Sequence, residues 1–119
     1  LDDKKIKEII RYLEEKKIKN LILNNKNIDE LIIYGAGEIS KHLIKKTKFI
    51  KKLRDFDVVD GDKKKIGTDF FGKRILSPES LRNDKRKVFI AAAQSYDDII
   101  QEITHFRGDS NSVINGIFF

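Results

Sequence analysis

The residues best placed to do chemistry are Gly35-Ala36-Gly37-Glu38-Ile39-Ser40, which directly follow the apolar run Leu31-Ile32-Ile33-Tyr34. The chemistry they suit is phosphate recognition. Gly35 permits a tight turn, and Gly37 lets the backbone come close to a phosphate. A helix starting there adds unpaired N–H groups and the positive end of its dipole. Asp60 follows Ser40 by twenty residues and closes a second strand-like segment that begins at Phe56. An acid at that place accepts hydrogen bonds from ribose hydroxyls. Ser40 stands where a third glycine usually packs helix against strand, a small but real departure. The alternative is a purely structural turn in a βαβ unit that binds nothing.

These residues need a sheet to position them, and the hydrophobic pattern supplies one. Leu31 to Tyr34 reads as a buried strand, followed by a helix with Ile39, Leu43, Ile50 and Leu53 on one face. Phe56 to Asp60 is a second strand, and Gly61 to Gly72 a loop carrying Lys63-Lys64-Lys65. Ser77-Pro78-Glu79 has the composition of a helix start. Val88 to Ala93 reads as a third strand. Ser95 caps a helix with Ile99, Ile100, Ile103 and Phe106 on its apolar face, and Gly108 ends it. Val113 to Phe119 reads as a fourth strand.

Upstream, residues 3–17 form an amphipathic helix on Ile6, Ile9, Ile10 and Leu13, capped by Asp2 or Asp3. Lys16 to Leu23 extends it or begins another. The turn cluster Asn24-Asn25-Lys26-Asn27 is the best internal boundary. The pattern predicts an α/β, Rossmann-like three-layer domain over residues 30–119, with a parallel sheet of four to five strands. An N-terminal helical extension, residues 1–29, precedes it.

Composition narrows the class. The 119 residues suffice for one domain. Without cysteine there is no disulfide, thiolate metal site or cysteine nucleophile. Apolar runs are too short to span a bilayer, and no charged-then-apolar leader opens the chain, so we expect a cytoplasmic protein. The chain begins at Leu1, contains no methionine and ends on Ile117-Phe118-Phe119, so we expect a piece of a longer protein. The net charge of +6 is discounted, because lysine and isoleucine each occur 19 times against four alanines, the bias of an AT-rich genome.

Weaker signals fall away on inspection. Asp60-Gly61-Asp62 is not a calcium loop, which requires an oxygen ligand where Lys64 stands, a glycine at Lys65 and a glutamate at Phe71. Tyr12 and Lys16 match a Tyr-x-x-x-Lys spacing but precede the glycine loop, so an exposed helix is the simpler reading. His42 and His105 have no partner at a telling offset. Lys41, Lys45, Lys48 and Lys52 form a helical stripe, without the aromatic surface or helix-turn-helix that would mark a nucleic-acid binder. We expect neither a nucleic-acid partner nor a metal site.

The stretch Ile32-Ile33-Tyr34-Gly35-Ala36-Gly37, then Val58-Val59-Asp60-Gly61-Asp62-Lys63-Lys64-Lys65-Ile66-Gly67 and Phe71-Gly72-Lys73-Arg74-Ile75-Leu76-Ser77-Pro78-Glu79, resembles one Rossmann-type module. It is similar to the nucleotide-binding domains attached to bacterial enzymes of nucleotide-sugar and surface-polysaccharide biosynthesis. Relatives of that module accompany sugar epimerase/dehydratases, sugar acyltransferases and methyltransferases. The resemblance spans roughly residues 30 to 118. It implies a ligand site at Gly35, Ala36, Gly37, Glu38 and Ile39, at Asp60 and Asp62, and at Ala93, Gln94 and Ser95.

The expected function is therefore nucleotide or nucleotide-sugar binding, with NAD or a UDP-type nucleotide as ligand and the rest of a parent enzyme as partner. Phosphates would dock on the N–H groups of Gly35 to Ile39, ribose on Asp60, and the base beside Ala93 to Ser95. No catalytic acid–base pair is evident. Two alternatives stay open: an NAD-dependent oxidoreductase or epimerase fragment without its catalytic half, and a non-binding scaffold for interaction or homo-oligomerisation.

Overall fold

Leu31 to Tyr34 carries little that can bond to water, and in the structure it lies at the centre of the sheet, at most 3% exposed. The computed structural model describes residues 2–12, 28–46, 48–92 and 95–114. In chain order the elements are α1 (Asp3–Tyr12), β1 (Glu30–Tyr34), α2 (Glu38–Lys46), the single turn α3 (Lys48–Lys51) and β2 (Asp55–Val59). Then come β3 (Asp69–Phe70), β4 (Lys73–Arg74), a 3-10 helix (Pro78–Asn83), β5 (Val88–Ile90), α4 (Tyr96–Arg107) and β6 (Val113–Ile114).

The main sheet runs β2-β1-β5-β6, with every pairing parallel. Side chains alternate between its two faces, and both faces are covered. Leu31, Ile33, Val58 and Phe89 pack against Ile6 and Ile9 of α1 and Ile39 and Leu43 of α2. Ile32, Tyr34, Val59 and Ile90 pack against Ile99 and Ile103 of α4 and Leu81 of the 3-10 helix. Burial on both faces is why the strands read as continuous apolar runs. The fold is α/β and Rossmann-like, with a four-stranded parallel sheet among the described residues. Strand addition reverses direction between β1 and β5, which opens a crevice at the carboxyl ends of those strands.

Several elements differ from expectation. The segment Gly61 to Gly72, expected as loop, holds β3, which pairs antiparallel with β4. Phe71 and Gly72 form its two-residue turn, with φ of 54° and 84°, the twist that tight hairpins require. Ser77-Pro78-Glu79 opens a 3-10 helix, not an α-helix, and Ser77 makes no side-chain cap bond. Its turns close over three residues, Ser80 N–H donating to the Ser77 carbonyl at 3.1 Å. β5 stops at Ile90, short of Ala93. Residues 13–17 of the expected first helix, the 16–23 segment, the asparagine turn and residues 115–119 of the expected last strand lie outside the described residues.

The amino edge of the sheet is held by charge. Arg86 donates to Asp57 at 2.5 Å and to Asp84 at 2.6 Å through Nη2. Arg107 donates to the Leu81 and Arg86 carbonyls at 3.1 and 2.7 Å and to Ser112 Oγ at 2.7 Å. Together they bind β2, the 3-10 helix, β5 and the approach to β6.

The Arg86 hydrogen bond holds the Asp84 carboxyl below the usual carboxylate range. A group with a lowered folded pKa stabilises fully above its unfolded value and loses that contribution as pH falls through the folded one. Arg86→Met should cost about 1–2 kcal/mol at neutral pH, the worth of a charge-assisted bond in a partly exposed place. Its melting temperature should then fall less than the wild type's as the pH drops below about 4. Thermal melts across that range check both.

Candidate functional site

β1 must stop at Tyr34 because the next residue has no room for a side chain. A Cβ on Gly35 would lie 3.0 Å from the Ala91 carbonyl oxygen, and Gly35 has φ of 118°. Its N–H donates to the Val59 carbonyl at 2.7 Å, while Ala91 N–H donates to the Tyr34 carbonyl at 2.9 Å. The turn is thus tied to β2 on one side and to the end of β5 on the other.

Asp60 follows β2 directly and reaches back to this turn. Its Oδ2 accepts the Ala36 N–H at 2.7 Å and its Oδ1 the Asp62 N–H at 2.8 Å. The N–H groups of Gly35 and Ala36 are therefore engaged within the fold. This corrects the expectation that all five amides from Gly35 to Ile39 are open to phosphate. Those of Gly37, Glu38 and Ile39 stand at the start of α2, before its first intrahelical bond from Lys41 N–H to the Gly37 carbonyl at 3.0 Å. A Cβ on Gly37 would meet nothing within 4 Å. Ser40 is buried, and its hydroxyl donates to the Gly35 carbonyl. The departure from glycine thus brings a hydrogen bond that fastens helix to turn.

A crevice of about 530 Å³ opens above these residues. That volume lies in the range of small-molecule sites. Of the residues expected at the site, Gly35, Ala36, Gly37, Glu38, Ile39, Asp60, Asp62 and Ser95 all line it. Ala93 and Gln94 lie outside the described residues, although Ala92 and Ser95, on either side of them, reach the crevice. His42's side chain and Lys16 also lie outside them. Tyr12 is exposed, and His105 stacks edge-on against Phe106 in the last turn of α4.

Sequence reasoning missed three contributions. Lys65 Nζ donates to the Ala36 carbonyl at 3.1 Å and lies 3.9 Å from Asp60 Oδ2. It was concealed in a run of three lysines that reads as a solvated loop. The Tyr34 hydroxyl donates to Glu102 Oε2 at 2.8 Å across a separation of 68 residues, which leaves no local trace. Burial, then the bond to Glu102, pushes the Tyr34 phenol up, so it stays a protonated donor. Ile6 of α1 also reaches the crevice wall.

A doubly wound α/β domain with a glycine turn and a strand-end acid on one crevice is the class that this geometry defines. The chain belongs to the family described as C2185-like, N-terminal, whose model matches residues 24–114. No curated protein matches the sequence. Among solved structures, it is similar to RSP, described as a Rex-family repressor, with a TM-score of 0.57 at 15% identity over 88% of this chain and 60% of that one. It is also similar to RSP in complex with β-NAD+ and operator DNA, with a TM-score of 0.55 at 14% identity over 86% of this chain and 58% of that one. This chain therefore spans less than two thirds of the repressor's length, and the likeness establishes the fold.

The two glycines should respond differently to alanine. Gly35→Ala forces a side chain into a left-handed conformation against a carbonyl and should lose about 1–3 kcal/mol. Gly37→Ala should stay within about 0.5 kcal/mol of the wild type, since its Cβ enters open space. Denaturant melts of both variants check the contrast.

Proposed function

We propose that this chain is a nucleotide-binding domain, with the ligand's phosphates over Gly37 to Ile39 and its ribose beside Asp60. The observation that carries this reading is convergence at one place. The glycine turn, the start of α2 and the acid after β2 meet on one crevice where strand order reverses, the position at which open α/β sheets hold their ligands. Asp60 retains acceptor capacity beyond its two backbone bonds, since an ionised carboxylate offers about four lone-pair sites. The base would lie toward Ala92 and Ser95, with the adjoining Ala93 and Gln94 completing that end. We take residues 30–119 as the binding unit and 1–29 as its extension.

An NAD-type dinucleotide is the first ligand to test, because a solved structure of the same fold is described with β-NAD+. A UDP-type nucleotide or nucleotide-sugar is the second, and it rests on the sequence resemblance to carbohydrate-enzyme modules alone. The fragment would recognise its ligand, leaving any reaction to the rest of a parent protein. Operator DNA in the same neighbour removes support for setting nucleic acid aside. Among the described residues no helix is long and apolar enough to cross a membrane.

A thermal-shift titration with NAD(H), NADP(H), UDP and UDP-sugars tests the proposal. At a hundredfold excess over its dissociation constant, a ligand specific for the folded state should add about 2.7 kcal/mol. Gly37→Val should keep its melting temperature and lose the shift, because its side chain projects where phosphate must lie. A wild-type protein that shows no shift with any of them would contradict nucleotide binding and favour the scaffold reading.

A further inference from the structure

Lys65 is held in place by the backbone that carries it. After β2 the chain closes a turn in which Lys65 N–H donates to the Asp62 carbonyl at 2.9 Å, and Thr68 N–H and Oγ1 donate to the Lys65 carbonyl at 3.0 and 2.6 Å. Gly67 N–H donates to the Ile75 carbonyl at 2.8 Å and anchors the turn to the segment after β4. The side chain, 42% exposed, bends inward until its ammonium rests on the Ala36 carbonyl, at the crest of the glycine turn. An ammonium has three donors. One goes to Ala36, Asp60 Oδ2 lies 3.9 Å away, and the flexible stem lets the ammonium turn toward the crevice.

Charge around the crevice makes this position consequential. Glu38, Asp60, Asp62, Asp98 and Glu102 line it, and Lys65 is the one cation among the described lining residues. Such a wall repels polyanions, since like charges facing a shared low-dielectric cleft raise each other's energy. A pyrophosphate linked at both ends carries one charge on each phosphate. A free terminal phosphate carries nearly twice that at neutral pH, its second pKa being about 6. The crevice therefore suits the first kind of ligand, provided that one cation meets it.

We propose that Lys65 is the phosphate-gripping cation of this site, and that the carboxylates around it set a preference for a pyrophosphate diester over a nucleotide ending in a free phosphate. The proposal rests on the nucleotide reading above and adds the class of phosphate that the site takes. Lys65 is a binding residue in this account, and its bond to the Ala36 carbonyl also helps to hold the glycine turn.

Calorimetric titration of the wild-type chain with NAD+ and UDP-glucose, and with their free-phosphate counterparts ADP and UDP, tests it directly. The diester that binds should do so about tenfold more tightly than its counterpart, the effect of one extra charge repulsion in a cleft. Lys65→Met should weaken that diester by about 10- to 100-fold, the loss of one charge-assisted hydrogen bond, in a protein that still melts cooperatively with its midpoint lowered by no more than about 5 °C. Lys65→Arg, which keeps the charge, should recover most of the affinity. A Met variant that binds the diester as the wild type does would overturn the role of Lys65 and leave nucleotide binding standing. A wild type that prefers ADP or UDP would overturn the selectivity. Failure of the wild type to bind any of the four would overturn the nucleotide reading itself, and Lys65's role with it.

Discussion

The backbone at Gly35 passes so close to Ala91 that a methyl group would meet the Ala91 carbonyl oxygen at 3.0 Å. That contact is the constraint on which the carboxyl edge of the sheet depends. β1 lies between β2 and β5, and its last hydrogen bonds are the Gly35 N–H to Val59 and the Tyr34 carbonyl from Ala91. A chain so confined must turn sharply and can do so only with a left-handed φ. The turn leads directly into α2, whose first N–H groups then face the space between the diverging crossovers. The crevice is thus a geometric consequence of closing a parallel sheet at a point where strand order reverses.

Charge completes what backbone geometry begins. Asp60 accepts the Ala36 N–H on one oxygen and the Asp62 N–H on the other, so it fixes the glycine turn and starts the loop that carries Lys65. Lys65 then returns to the Ala36 carbonyl, so both backbone polar groups of Ala36 pair with side chains from beyond β2. The opposite edge uses a separate set of charges, centred on Arg86 and Arg107, to hold the strand beginnings in register. One edge is fastened by ion pairs made for stability. At the other, the same kind of bonding borders open space. This division explains how a small domain keeps a crevice of about 530 Å³ without losing its core.

Much of this was legible before any coordinates. Continuous apolar runs marked β1 and β5, because strands buried on both faces have no polar side to display, and Phe56, Val58 and Val59 before Asp60 marked β2. Gly35 and Asp60 were legible because their backbone and hydrogen-bonding requirements admit few residue types, and Gly37 because of its spacing from Gly35 at a strand-to-helix junction. Gly108 marked the end of α4, where its N–H bonds to the Thr104 carbonyl at 2.8 Å. The β3–β4 hairpin was not legible, since two-residue strands leave too short an alternation to detect. The 3-10 helix shares its starting residues with an α-helix and differs only in how its turns close. Lys65 and the Tyr34–Glu102 pair depend on approaches across 29 and 68 residues, which spacing cannot encode. The availability of individual amides was equally hidden, because it depends on where Asp60 points.

The central claim is that the amides opening α2 receive a nucleotide's phosphates. The most direct test is a titration of the 15N-labelled chain with NAD+, and in parallel with UDP-glucose, followed by the amide resonances of residues 35–40. The account predicts that one ligand moves Gly37, Glu38 and Ile39 strongly and saturably. Gly35 and Ala36, whose N–H groups bond within the fold, should move less. Saturable shifts elsewhere, with Gly37 to Ile39 unmoved, would contradict it.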